Sequence, residues 1–337
     1  MIKHMTKLTG WTASLVALAA TASADVKVND NLSLSGYAAA AGTITDTNPS
    51  TSPKDTLFNS GHANLDSALV AANGKYQDFT AKVSLFYVPN KGTAADTSGI
   101  LDAYVAYTKG EVTVTVGKFN SYMGYESFFA SSMNQLTYGS TIADIDTYHT
   151  GAKIDYTTKT FGAGVSVTDS EFASTGFNRG DGNYKHVGTE VYVTYSGIDK
   201  LTLWEGIGYG DQDPTTTGPA GFYNDFVNDL WASYALNAKT TLAAEWTYAD
   251  IGTVKNNGWL TFAQYNFTDK FSGIARISGI KYEGVNAGTY FTLAPSYKIT
   301  SNLSVRGEVS YADSAAGAVS VSGKKGAFYG VQALFTF

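Results

Sequence analysis

Side chains that could carry out catalysis or bind a metal are few in this chain of 337 residues, and they form no common reactive motif. Cysteine is absent, which excludes disulfides, thiol nucleophiles and thiolate metal sites. His62, His149 and His186 are single and widely spaced, whereas a metal site needs several converging ligands. No G-x-S-x-G nucleophile motif or glycine-rich phosphate loop occurs. We therefore expect no catalytic residue, no metal and no cofactor, and an outer-membrane lipase or protease is kept only as the enzyme alternative.

The charged residues that could act together fall into two groups. One group lies in the long segment 120–147, which also carries Tyr, Phe, Met and Leu side chains in a number unusual for a loop left in water. The acids of this segment are Glu126, Asp144 and Asp146. The other group consists of basic residues on the polar side of alternating segments, namely Lys82, Lys153, Arg276 and Arg306. Either the long segment folds back toward these bases, or it folds outward and packs on its neighbours.

The segments that position these residues have a period of two, which is typical of strands with two different faces. The last segment, 326–337, has one apolar set that includes Tyr329, Val331, Phe335 and Phe337. A soluble protein rarely ends on a bare aromatic strand, whereas a closed membrane barrel needs a last strand that pairs with the first. We predict that this is the barrel-closing strand and the segment that the barrel-assembly machinery recognises.

About sixteen such segments follow one another through the chain. Most are about 9–11 residues long, which suits a tilted strand that crosses a bilayer. Tight turns alternate with longer connections, as expected for an up-and-down barrel but not for a sandwich with Greek-key crossings. We predict an all-β, antiparallel transmembrane barrel with segments at 31–41, 62–72, 79–88, 100–108, 111–119, 148–157, 160–169, 186–196, 200–210, 226–236, 240–250, 257–267, 271–282, 288–298, 302–312 and 326–337.

Composition supports a barrel in the outer membrane of a Gram-negative-type bacterium. Only 15% of residues are charged, compared with about 25% in an average globular domain. Residues 1–24 have a basic start, an apolar run and an A-x-A site before Asp25, which is typical of a secretory signal peptide. Its removal takes away two lysines, so the formal charge changes from -6 to about -8, which argues against a nucleic-acid partner. The predicted mature domain is 25–337.

Charged residues obey the alternation with one exception. A basic residue that faces lipid at mid-bilayer costs about 2–4 kcal/mol, so charges should lie on the polar side of each strand. Glu205 instead lies on the apolar side, with Leu203 and Ile207. Either a bulge near Gly206 or Gly208 changes the alternation, or Glu205 faces a neighbouring protomer. The residues that fit the rule are Lys82, Lys153, Arg276, Arg306, Asp66, Asp102, Asp155, Glu190, Asp229, Glu245 and Glu308.

Aromatic residues are predicted to form two girdles at the ends of the strands, because amphipathic rings favour the headgroup level of a bilayer. The set beside the tight turns is Tyr107, Tyr156, Phe161, Tyr195, Tyr234, Phe267, Phe271, Tyr297 and Phe337. The set at the opposite ends is Tyr87, Phe119, Tyr209, Trp246, Tyr248, Trp259 and Tyr311.

The sequence resembles the Gram-negative outer-membrane porins and is most similar to the OmpL-like β-barrel porin family. The resemblance rests on short segments spread over the chain and on the terminal aromatic strand. These segments are residues 25–28, 32–37, 99–104, 117–119, 124–126 and 148–153. The resemblance implies a channel for small hydrophilic solutes in the outer-membrane lipid, and it suggests a homotrimer.

In porins the loop after the fifth strand folds into the barrel and narrows it, and the resemblance implies the same role for loop 120–147. Its acids would then face the basic wall residues and set a transverse field across the opening. The excess of acids predicts a mild cation preference. Two alternatives are a sugar-selective channel with a track of lumen aromatics and a secreted or surface β-rich adhesin without channel activity. The aromatics of that track would be Tyr104, Tyr192, Trp204, Trp231, Phe262 and Phe328.

Overall fold

The computed structural model describes residues 25–47, 66–89, 96–133, 135–141, 145, 147–168, 187–212, 223–252, 254–284, 288–313 and 326–337. The signal peptide predicted for residues 1–24 lies outside this part of the chain, as do Asp144, Asp146, His62 and His186. Within the described ranges, no helix is both long and apolar enough to cross a membrane.

Sixteen antiparallel strands form one closed barrel, which confirms the predicted fold class and strand number. An additional short strand, β1, precedes them at Val26–Asn29. The first half of the barrel consists of β2 (Leu32–Thr47), β3 (Ser67–Tyr76), β4 (Phe79–Val88), β5 (Thr97–Lys109), β6 (Val112–Asn120), β7 (Tyr148–Thr157), β8 (Phe161–Thr168) and β9 (Gly188–Ile198). The second half consists of β10 (Leu201–Gln212), β11 (Tyr223–Asn237), β12 (Thr240–Ile251), β13 (Val254–Asn266), β14 (Phe271–Tyr282), β15 (Gly288–Lys298), β16 (Leu303–Asp313) and β17 (Gly326–Thr336).

The last strand closes the barrel on the first. β17 pairs with β2 from Gly326 opposite Thr47 to Thr336 opposite Tyr37. Phe337 extends the ladder, because its N–H donates to the Gly36 carbonyl at 3.0 Å and its carbonyl accepts from the Gly36 N–H at 2.8 Å. Closure gives every barrel strand two neighbours, so no edge is left for unwanted pairing in lipid.

Strand β1 was not predicted, and it lies where β17 ends. It pairs with the beginning of β2, with Val26 opposite Leu34. With four residues it is too short to show an alternation that the sequence pattern could detect.

Side chains along each strand alternate between the outer surface and the interior of the barrel. On β17, Tyr329, Val331 and Phe335 are exposed on the outer surface, while Phe328, Gln332 and others between them are buried. Outward-facing apolar side chains of this kind surround the barrel and match a lipid environment.

The aromatic girdles occupy the predicted ends, with one exception. Tyr107, Tyr156 and Tyr297 are exposed beside tight turns, and Tyr87 and Tyr311 are exposed at the opposite ends. Phe119 was placed wrongly: it is buried with the inward-facing side chains of β6. Its ring lies under the Lys153 ammonium, which is 4.7 Å from the ring centroid.

Glu205 faces outward, and the bulge interpretation is wrong. β10 pairs with β9 and β11 without a register shift from Leu203 to Tyr209, so no extra residue changes the alternation at Gly206 or Gly208. Glu205 is exposed between Val193 and Leu230 of the neighbouring strands.

A bulge occurs on β5 and places two consecutive residues on the interior side of the barrel. Ser84 of β4 stands opposite both Leu101 and Asp102, and both of these residues are buried. The Asp102 N–H donates to the Ser84 hydroxyl at 2.9 Å, and that hydroxyl donates to the Asp102 carboxylate at 2.7 Å. The extra residue turns Asp102 inward while the strand on both sides keeps its apolar face outward.

Candidate functional site

Loop 120–147 connects β6 to β7, and its described residues contact inward-facing side chains of strands on opposite sides of the barrel. Its described residues include a short 3-10 helix at Ala130–Ser132. Tyr125, Ala130 and Leu136 are almost fully buried although the segment contains no strand. The loop therefore lies inside the barrel and packs against its wall.

Acidic residues of the wall hold the backbone of the loop. The Tyr122 N–H donates to Glu190 at 3.0 Å, and the Gly124 N–H donates to Asp229 at 2.7 Å. The Tyr125 N–H donates to Glu245 at 2.6 Å. A segment without helix or strand has unpaired N–H groups, and burying them without a partner would cost free energy. Carboxyl groups on the wall satisfy these N–H groups by accepting hydrogen bonds from them.

Glu308 of β16 does the same on the other arm of the loop. Its carboxylate accepts from the N–H groups of Leu136 and Thr137, at 2.5 and 3.0 Å, and from the Thr137 hydroxyl. Glu245 also accepts from the Thr141 hydroxyl, at 2.5 Å. Wall carboxylates thus fix both the outgoing and the returning arm.

Arg276 and Arg306 attach the loop from β14 and β16. The Arg276 guanidinium lies 2.6 Å from the Glu126 carboxylate and donates to the Thr137 carbonyl at 2.7 Å. Arg306 donates to the Met133 carbonyl and to the Gln332 amide oxygen. Both guanidinium groups are buried, so their charges serve the contact between loop and wall.

Lys82 and Lys153 lie apart from these contacts. The Lys82 ammonium pairs with Asp102 of the neighbouring strand at 2.9 Å. The Lys153 ammonium lies over two rings, 4.7 Å from the Phe119 centroid and 4.5 Å from the Tyr122 centroid, in a cation–π arrangement. Neither lysine contacts Glu126 in the described part of the chain.

Rings of the wall form a ladder that receives the first arm of the loop. Tyr192, Trp204 and Trp231 stack in sequence, with centroids 6.1 and 5.7 Å apart. Tyr122 packs on Tyr192 at 4.5 Å, and Tyr125 meets Trp231 edge-on at 5.5 Å. All five rings are buried, so Tyr192, Trp204 and Trp231 of the aromatic track predicted for a sugar channel pack with the loop.

A second aromatic group fixes the middle of the loop. Phe129 packs edge-on against Tyr37 of β2 at 6.5 Å and against Phe86 of β4 at 6.4 Å. Phe128 stacks on Tyr138 at 6.3 Å, and the Tyr138 hydroxyl donates to the Phe128 carbonyl at 2.5 Å. Burial raises the pKa of the Tyr138 phenol well above its ordinary value, so this ring stays neutral.

Glycines on the wall make room for side chains of the loop. A Cβ at Gly206 would lie 2.9 Å from the Met123 sulfur, and one at Gly330 would lie 2.6 Å from Leu136 Cδ2. Both distances are shorter than normal van der Waals contact, so the loop fits because these wall positions lack side chains.

His149, Ser121 and Glu190 meet near the start of the loop, but their geometry is not that of a nucleophile with its base. The Ser121 hydroxyl donates to Glu190 Oε1, and His149 Nε2 lies 3.1 Å from the same oxygen. A nucleophilic serine would instead donate to the histidine. This cluster anchors the loop. No group of three or more metal-ligand side chains occurs among the described residues.

The structure brings together only part of the predicted constriction set. Glu126, Arg276 and the arm around Thr137 converge, and Arg306 lies close by. Lys82 and Lys153 belong to another sector of the wall, and Asp144 and Asp146 lie outside the described residues. Sequence reasoning missed the anchoring role of Glu190, Asp229, Glu245 and Glu308. Their inward parity was detectable, but nothing in the sequence indicates which backbone groups they accept from.

Comparison with known families finds a match that spans most of the chain. The family described as "Putative beta-barrel porin-2, OmpL-like" matches residues 31–337. A comparison with curated protein sequences finds no match.

Solved structures of bacterial outer-membrane proteins share the fold. OmpT of Vibrio cholerae, in its trimer form, is 15% identical with a TM-score of 0.64, and the match covers 91% of this chain and 100% of that chain. An anion-selective porin from Comamonas acidovorans is 13% identical with a TM-score of 0.64, over 91% and 100% of the two chains. OmpF of Salmonella typhi, in complex with daunomycin, is 15% identical with a TM-score of 0.65, over 93% and 100%.

Proposed function

We propose that this chain, which belongs to the OmpL-like family of beta-barrel porins, lets small hydrophilic solutes and ions diffuse through its barrel. It is an outer-membrane β-barrel channel, and sixteen strands enclose an interior too wide for wall side chains alone to fill. Solutes pass down their gradient, so the function needs neither a cofactor nor a catalytic residue.

The observation that carries this proposal is a loop fixed inside the barrel by charged side chains of the wall. Glu190, Asp229, Glu245 and Glu308 accept from the loop, and Arg276 pairs with Glu126. Contacts on opposite walls hold loop 120–147 across the interior, where it narrows the passage. Narrowing of this kind sets a size limit for diffusing solutes.

A mild cation preference follows from the charges of the lumen. Mid-strand acids that face inward outnumber the bases. The acids are Asp102, Asp155, Glu190, Asp229, Glu245 and Glu308, and the bases are Lys82, Lys153, Arg276 and Arg306. The porin from Comamonas acidovorans is anion-selective, so selectivity is not a property of the shared fold.

A homotrimer is the proposed assembly. OmpT of Vibrio cholerae has a trimer form, and Glu205 of this chain is exposed on the outer surface of the barrel. A carboxylate in lipid is unfavourable, and contact with a second copy would remove it from lipid. The outer surface away from that contact faces outer-membrane lipid, and the terminal strand is proposed to guide barrel assembly.

A swelling assay tests the proposed function. Liposomes that contain the mature protein should swell in isotonic solutions of small sugars, more slowly as the sugar becomes larger. Liposomes with heat-denatured protein provide the control. If liposomes with folded, inserted protein swell no faster than the control for any sugar, solute diffusion is not its function.

A further inference from the structure

Water access is uneven around the wall of the barrel. The Lys82 side chain keeps 29% of its surface exposed, whereas the Arg276 side chain keeps 1%. Tyr104, Lys153 and Asp155 are also only half-buried. At similar positions of β11 to β14, Asp229, Trp231, Glu245 and Phe262 are buried against the loop or one another.

The half-buried residues form a continuous sector of β4 to β7. Lys82 stands opposite Tyr104, and Tyr104 stands opposite Gly117. Gly117 stands opposite Gly151, two positions before Lys153 on the same face of β7. Gly117 and Gly151 carry no side chains into the interior, whereas β9 to β11 carry the aromatic ladder there.

The loop meets this sector through rings, with Phe129 on Phe86 of β4 and Tyr122 beside Lys153 of β7, and its backbone is bonded elsewhere. Its outgoing arm bonds to β9, β11 and β12 through Tyr122, Gly124 and Tyr125. Its returning arm bonds to β16 through Leu136 and Thr137. These five backbone hydrogen bonds lie on strands outside β4 to β7.

We propose that ions and solutes pass along the β4–β7 sector, and that Lys153 and Asp155 are the charges that set ion selectivity. This inference rests on the proposed function and names the residues that determine its specificity. Lys153 and Asp155 are two residues apart on one strand and face the same side, so their backbones are about 7 Å apart. A passing ion meets one charge of each sign.

The two charges are held in fixed positions. The Lys153 ammonium rests on the rings of Phe119 and Tyr122, and the described residues place no carboxylate within ion-pair distance of it. Asp155 accepts from the Tyr192 hydroxyl at 3.2 Å. Arg276 and Glu126 are paired and buried, so they contribute little to the field that a passing ion meets.

Cysteine scanning can test the proposed path directly, because the natural chain contains no cysteine. We would prepare K153C, I154C and D155C in lipid vesicles and treat each with a charged, membrane-impermeant thiol reagent, with mass as the readout. Ile154 is the matched control, since it lies between the other two but faces lipid. Q264C is a second control, because Gln264 faces inward from β13 yet is buried.

The proposal predicts that the introduced thiols of K153C and D155C are modified at least tenfold faster than those of I154C and Q264C. The labelling reaction does not depend on ion flow through the channel. If K153C and D155C are modified no faster than I154C and Q264C, the proposed path is wrong. This readout separates the two claims: labelled thiols in a protein that passes no solute would contradict the function but keep the water path.

Charge variants test selectivity. Removing one charge about 7 Å from an ion in water changes its population about threefold. Potassium and chloride respond in opposite directions, so K153Q should increase the ratio of potassium to chloride permeability about sevenfold, and D155N should decrease it about sevenfold. K159Q, in the turn after β7, is the control and should leave the ratio unchanged. Unchanged ratios in both K153Q and D155N would contradict the assignment.

Discussion

The guanidinium of Arg276 lies 2.6 Å from the carboxylate of Glu126 and joins strand β14 to the loop that crosses the interior of the barrel. Both side chains are almost completely buried, and Gln135 and the Gly139 N–H complete the shell around Glu126. A buried pair of this kind is costly to break from one side, because the remaining charge stays buried without its partner.

Replacement of Arg276 should release the loop. Removing one partner of a buried ion pair costs about 3–5 kcal/mol, so we expect R276Q to show larger conductance and more open-channel noise than the wild type. The double variant E126Q/R276Q should be closer to the wild type, because it leaves no unpaired charge. K281Q, at an exposed position of the same strand, is the control. A quiet R276Q channel with wild-type conductance would show that this pair does not hold the loop.

Removal of a wall carboxylate should expose the backbone that it protects. E308A removes the carboxylate that accepts from the N–H groups of Leu136 and Thr137, at a cost of about 1.5–3 kcal/mol for each charged hydrogen bond. Hydrogen exchange should then be at least tenfold faster at these two amides. S304A, four residues earlier on the same face of β16, is the control and should leave the exchange of these amides unchanged. Persistent protection in E308A would mean that other contacts fix this arm.

The closing seam depends on a glycine. A Cβ at Gly36 would lie 2.2 Å from the Leu69 carbonyl oxygen and 2.8 Å from the Phe337 ring, so backbone must shift to accept it. We expect G36A to lower the temperature at which the barrel loses its heat-modifiable migration in gels. Gly74 on the neighbouring strand is the matched control, because the nearest atoms to its Cβ position are 3.9 Å away. Equal midpoints for G36A and G74A would contradict a tight seam.

The outward carboxylate offers a test of assembly. If Glu205 lies between protomers, E205K should reduce the trimer fraction in mild detergent at least fivefold, because each interface would lose a complementary contact. E205Q, which keeps the shape, should have a smaller effect. Analytical ultracentrifugation provides the measurement. A wild-type monomer, or an E205K trimer as abundant as that of the wild type, would exclude this role for Glu205.

The strand pattern could be predicted because lipid imposes a strict rule on it. Facing lipid is unfavourable for a polar side chain, so nearly every strand shows a period of two, and the sixteen segments correspond to the sixteen barrel strands. Glu205 is the charged residue that lies on the apolar side of its strand in the sequence. It is exposed on the outer surface in the structure as well, so the exception in the pattern corresponds to an outward-facing carboxylate.

The interior could be predicted only in part, because parity tells which way a side chain points but not what it meets. Arg276 and Lys153 are both bases with inward parity, yet one is buried against Glu126 and the other lies over aromatic rings. The difference depends on the course of an irregular loop, which leaves no periodic signal. The bulge at Asp102 and the inward position of Phe119 were missed for a related reason, since each depends on local strand pairing that leaves no periodic signal.

Single-channel recording of purified residues 25–337, the predicted mature protein, in a planar bilayer tests the central claim most directly. Under a KCl gradient, we predict steady steps on the nanosiemens scale and a reversal potential on the cation side. Protein that is folded, heat-modifiable and inserted in the membrane, yet passes no current, would contradict the account.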